Sequence, residues 1–167
     1  MARRSSVNYL DRLYASLPYL LPITAVFGFG VFLFSQFPLL STIFAPIEKV
    51  NKILSIPIID FISIRLVAWI CVFIFVVRSY KVNHFIRFNA MQALLLDVIV
   101  ALVGALVQIL GEALGQFSFF IFVLQIIASV TFLGITAAFI YSVFQCVLGK
   151  YSDKIPLISD VAYMQVR

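Results

Sequence analysis

Between Leu13 and Ile47 the chain carries no Asp, Glu, Lys, Arg or His. A water-soluble core has no use for so long a stretch without an ionisable group. A bilayer does, provided the backbone satisfies its own polar groups as helix. Composition agrees: 63% of the 167 residues are hydrophobic and 11% charged, where soluble domains run near about a quarter charged. The sequence therefore reads as an all-α integral membrane protein with a single compact domain.

Four apolar segments mark the expected spans. The first, 17–34, is "LPYLLPITAVFGFGVFLF", with Pro18 and Pro22 near its start, where proline does least harm. The second, 61–80, surrounds "LVAWICVFIFVV", and only twelve residues separate Arg65 from Arg78. A span needs about 20 residues, so Arg65 is expected to snorkel toward the outer interface. The third is 90–110. The last apolar run is longer than one ordinary span, yet no turn cluster interrupts it near Gly134.

Charge placement decides in favour of one final span, 117–148. With four spans, Arg3, Arg4, Arg12, Arg78, Lys81, Arg87, Lys150, Lys154 and Arg167 share one side, against Lys49, Lys52 and Arg65 on the other. The positive-inside rule then puts both termini on the cytoplasm-like side. The organisation expected is a short basic segment 1–16, a four-helix transmembrane domain 17–149 and a C-terminal tail 150–167. The net charge of +5 sets this orientation and does not imply a nucleic-acid partner.

Between the first two spans, Ile43, Phe44, Ile47, Val50 and Leu54 recur at helical spacing with Glu48, Lys49, Asn51 and Lys52 among them. That pattern suits an amphipathic helix on the membrane surface, opened by Pro46 and closed by Pro57. It serves either as a docking surface or as a plain interfacial loop. The N-terminus has no short apolar core followed by a small-residue cleavage site, so no cleavable signal is expected.

At about 100° per residue, Ala90, Ala93, Asp97, Ala101, Gly104, Gln108 and Gly111 fall on one narrow sector of the third span. Gln125, Ser129 and Thr136 share a face of the last one. Small and polar stripes let helix backbones approach and hydrogen-bond, or they line a wet path. Asp97 differs from the rest, because an ionised carboxylate at this depth costs roughly 2.5–3.5 kcal/mol on insertion scales. Arg65 is the one cation inside a span, and a pairing with Asp97 is possible but unforced. Arg65, Arg78, His84 and Arg87 are expected as interface anchors.

Catalytic groups are not expected. One Asp without a partner carboxylate or histidine makes no protease dyad, and His84 is the single histidine. Cys71 and Cys146 lie in apolar runs without metal-ligand spacing and read as buried, reduced packing residues. No cofactor is expected.

Three stretches go beyond these physical readings. "RLYASLPYLLP" (Arg12 to Pro22), "HFIRFNAMQALLLD" (His84 to Asp97) and "KIPLISDVAYMQVR" (Lys154 to Arg167) together resemble the Tic-twenty family. This is the small four-span subunit of the protein translocon at the chloroplast inner envelope, the TIC complex, with cyanobacterial relatives. The resemblance implies a helical membrane subunit that helps form or brace the path of imported preproteins. It also implies stromal termini and association with other translocon subunits. The short N-terminus points to a plastid-encoded or cyanobacterial protein, in the latter case with cytoplasmic termini in the inner membrane. A path for a polypeptide would need several copies or partners, since four helices enclose little room. Two alternatives stand beside this reading. One is a small-solute or ion channel or carrier with Asp97 as its selectivity or proton site. The other is an assembly factor with no path of its own.

Overall fold

The computed structural model describes residues 7–59, 62–155 and 158–166. Helix α1, Tyr9–Gln36, starts well before the expected Leu17 because Asn8 caps it. Asn8 Oδ1 accepts the Tyr9 N–H at 2.9 Å, and the Asp11 carboxylate accepts the Asn8 N–H at 3.1 Å. This answers N–H groups that every helix start leaves unpaired. Pro18 and Pro22 are consequently interior to the helix. The chain absorbs them by tightening into 3-10 turns at Leu17–Tyr19 and Val26–Gly30.

Helix α2, Pro38–Leu54, opens at Pro38 and runs through Pro46. The expected start at Pro46 is thus corrected: Phe37 (φ −127°, ψ 84°) breaks the chain direction, and Pro38 takes the first turn, where a missing N–H costs nothing. Helix α2 folds back against the distal half of α1. Phe44 is buried against Phe34 and Phe132, with ring centroids 5.8 and 5.1 Å away. Gly30 makes room for this cluster, since a Cβ there would lie 2.6 Å from the Phe34 ring and 2.9 Å from that of Phe132.

A small antiparallel hairpin follows, strand β1 (Pro57–Ile59) with strand β2 (Ile62–Ser63). Helix α3, Ile64–Val77, then rises only about 21 Å. That is short of the about 30 Å hydrocarbon core. The expected span 61–80 is therefore shortened. Among the described residues, three helices are long and apolar enough to cross a membrane: α1, α4 (His84–Leu114) and α5 (Ser118–Val147). Helix α5 is continuous through Gly134.

Helix α5 ends at Gly149, whose φ of 69° only glycine adopts without strain. Lys150 N–H reaches back to Gln145 O at 2.9 Å, closing the helix in a Schellman turn. Arg12 Nη1 donates to Val147 O at 3.0 Å, answering one of the carbonyls this end leaves open. Helix α6, Ile158–Val166, returns to pack on the start of α4 through Ser159, Ala162 and Val166. The buried residues of α4 all lie between Phe85 and Val100, and those of α5 begin at Phe132. The core therefore sits at the basic end of the bundle. Both cysteines are free: Cys146 is buried, whereas Cys71 is exposed, contrary to the sequence reading.

Candidate functional site

Two polar sites occupy the packed half. The first joins α1, the start of α4 and the C-terminal segment. Tyr19 Oη lies 3.1 Å from both Asn89 Oδ1 and Ser152 Oγ. Ser152 Oγ in turn is 2.9 Å from Asn89 Oδ1 and 2.8 Å from Gln92 Oε1. Gln92 Nε2 donates to Ser152 O at 3.0 Å, and Ser159 Oγ donates to that same carbonyl at 3.0 Å. Asn89 Nδ2 donates back to Phe85 O. These five side chains are at most 1% exposed. A network this complete is rigid, because each member left alone would face the full cost of desolvation.

Aromatic rings cover this knot on the basic side. His84 Nδ1 meets Tyr151 Oη at 3.2 Å, and Tyr151 stacks edge-on against Phe85 and Phe88. Burial pushes the Tyr151 and Tyr163 hydroxyls above their usual range. His84 thus ties the start of α4 to the C-terminal segment and does more than anchor at an interface.

The second site lies deeper. Arg65 Nη1 donates to Leu21 O at 2.9 Å, and its Nη2 to Asn51 Oδ1 at 2.8 Å and Thr24 Oγ1 at 3.2 Å. Arg65 therefore turns into the bundle, and its expected role as an outer-interface anchor is corrected. Three neutral acceptors cannot balance its charge, and Asp97 stands opposite, with Oδ1 3.7 Å from Nη1. That is ion-pair distance but too long for a hydrogen bond. Asp97 Oδ1 accordingly is buried without a hydrogen-bond partner among the described residues. The pair opens on a recess of about 340 Å³ lined by Ser63, Trp69 and Ala101 among others.

The small-residue stripe does not stay together beyond Asp97. Ala90 and Ala93 are buried, and a Cβ added at Gly104 would lie 3.4 Å from the ring of Phe29. Gly111 and Gln125 line a distal cavity of about 620 Å³ with Gly28, Ser35 and Ala128. Gln108 is exposed and bonds Glu112 at 3.1 Å. Ser129 bonds its own helix at Gln125 O, and Thr136 Oγ1 is buried without a partner among the described residues. No group of three or more His, Cys, Asp or Glu able to hold a metal occurs among the described residues.

The model of the family described as "Chloroplast import apparatus Tic20-like" matches residues 3–162. The chain belongs to this family. A Tic20 family protein of Synechocystis is 38% identical over 169 residues, covering 100% of this chain and 99% of the relative. Protein TIC 20-II, chloroplastic, of Arabidopsis thaliana is 32% identical and covers 93% of this chain and 72% of its own length. The Tic20 family protein Ycf60 of Pyropia yezoensis is 28% identical, covering 93% of this chain and 75% of its own.

In this Tic20-like chain the three stretches that carried the resemblance converge on the polar knot. Tyr19 comes from the first, Asn89 and Gln92 from the second, and Ser159 from the third. In the sequence Asn89 and Gln92 stand out only as members of the second stretch. Sequence reading missed Tyr19, Ser152 and Ser159, whose only signal was membership in, or adjacency to, those stretches.

Proposed function

We propose that this Tic20-like membrane protein is a translocon subunit that braces, with partner subunits, the path of preproteins across the chloroplast inner envelope or its cyanobacterial counterpart. The observation that supports bracing is the use of the deep polar groups. Asn89, Gln92, Ser152 and Ser159 bond one another, and Arg65 joins α1, α2 and Asp97. Groups locked in this way hold helices in register and present little polarity to a passing chain. A channel or carrier reading needs Asp97 open to a passing cation, and Asp97 faces Arg65.

Photo-crosslinking residues at Gly111 (cavity), Gln108 (exposed face) and Asp97 separate the roles when a preprotein is arrested in transit. Bracing predicts that Gln108 captures a fixed membrane subunit and that the cavity and Asp97 positions do not capture the preprotein. Preprotein adducts at both Gly111 and Asp97 would make this chain a wall of the path instead.

A further inference from the structure

Arg87 is 9% exposed, close to the start of α4, yet neither polar site described above uses it. Its Nε donates to Val77 O at 2.9 Å, where the last turn of α3 widens so that Arg78 N–H bonds Phe73 O. Its guanidinium carbon sits 5.2 Å from the centroid of the Tyr80 ring. These contacts orient the group without neutralising it. Arg78 stands in the same cavity, and no carboxylate among the described residues comes within ion-pair distance of either arginine.

The cavity holds about 360 Å³ and is walled by Phe73, Val77, Tyr80, Met91 and Gln165 beside the two arginines. It is ordered by depth. Arg78, Tyr80 and Arg87 lie at the basic rim, while Phe73 and Met91 lie about one helical turn further along α3 and α4 toward the bilayer interior. Gln165 closes one side from α6. A cation nine-tenths buried with no counter-ion among the described residues is costly, and an arriving anion removes that cost.

We infer that this cavity binds the headgroup of an anionic phospholipid, with Arg78 and Arg87 on the phosphate and an acyl chain over Phe73 and Met91. Two guanidinium forks match phosphate oxygens, and the apolar floor distinguishes a lipid from a free anion. Basic pockets between helices on the positive side of a membrane suit this chemistry. The inference does not depend on the translocon role proposed above. Lipid held here would tie α3, α4 and α6 together at one point.

The test uses the full-length protein in neutral detergent, titrated separately with phosphatidylglycerol, phosphatidylcholine and inorganic phosphate. Trp69, the single tryptophan, stacks on Phe73 with ring centroids 5.6 Å apart, so its fluorescence reports occupancy. Saturable binding of phosphatidylglycerol is expected, with phosphatidylcholine much weaker. Arg78→Gln and Arg87→Gln should each weaken it by about fivefold, the effect of about 1 kcal/mol per basic group near a lipid surface. Arg87→Lys should fall between, and Lys52→Gln, on an exposed part of α2, should change nothing. Arg78 is exposed, so its variant keeps the question open to refutation even where Arg87→Gln unfolds the chain. Equal binding of the two lipids, or unchanged binding in Arg78→Gln, would overturn the inference. Saturation by inorganic phosphate at the lipid's concentration would also overturn it, by making the cavity a site for a soluble anion.

Discussion

At the basic end of the bundle, Tyr19, Asn89, Gln92, Ser152 and Ser159 bond one another out of contact with any surroundings. At the distal end, Gln108 and Glu112 bond each other on an exposed face, and Gln125 borders an open cavity. The same helices, α4 and α5, supply both ends. Their difference lies in what meets them. α1, α3 and α6 enclose the first half of α4, whereas beyond Val100 no residue of α4 is buried. One half carries its specificity inside itself. The other offers Leu102, Ile109, Phe119 and Phe122, all exposed, to lipid or to a neighbouring subunit.

The comparison breaks or sharpens first at Arg65. Replacing it with Met leaves Asp97 buried without its cation, which should cost about 3 kcal/mol, the low end for a broken buried pair given its length. Thermal unfolding in detergent reads this, and adding Asp97→Asn should recover part of the loss. A double variant no better than the single would show that Arg65 acts through Leu21, Thr24 and Asn51 alone. Next, Asn89→Leu should cost about 1–3 kcal/mol by stranding Tyr19 and Ser152. It should also speed proteolysis of the C-terminal segment.

Gly149→Ala should cost about 1–2 kcal/mol from left-handed backbone alone. The new Cβ would also press on Arg12 Nε at 3.1 Å, loosening the joint between α1 and α5. A smaller effect is expected from alkali. Burial raises the Tyr151 and Tyr163 hydroxyls above the ordinary value of 10.0. Their contribution to stability is complete below that pH and is lost as pH rises through the folded-state values. Release of α6 in alkali, followed by hydrogen exchange at Ala162 and Val166, reads it out. Smallest of all, Gln108→Ala should stay within about 0.5 kcal/mol. If it destabilised the protein as much as Asn89→Leu, the contrast between the two ends would fail.

Much of the architecture is legible in the sequence. The charge-free run from Leu13, the apolar length around Ala90 to Leu110 and the unbroken run through Gly134 depend on local hydropathy, and each forms a long helix. The stripe through Ala90, Ala93 and Asp97 does face protein. Its continuation was misleading, because helical periodicity says which residues share a face and not where the neighbouring helix ends. Pro46 misled for a related reason. Proline is a strong local signal for a helix start, but Pro38 lies upstream in the same apolar segment and takes that position.

The sequence by itself determined the solvent this protein folds in, the long helices and the uneven placement of basic residues between them, since these follow from composition and spacing along the chain. Tertiary structure decided what the polar residues do. Arg65 and Leu21 are 44 positions apart, and Ser152 and Asn89 are 63. In an apolar medium each such group must find its partner among whatever the packing brings near. No local pattern encodes that meeting, so the inward turn of Arg65 and the convergence of three distant stretches on one knot emerge only when the helices close.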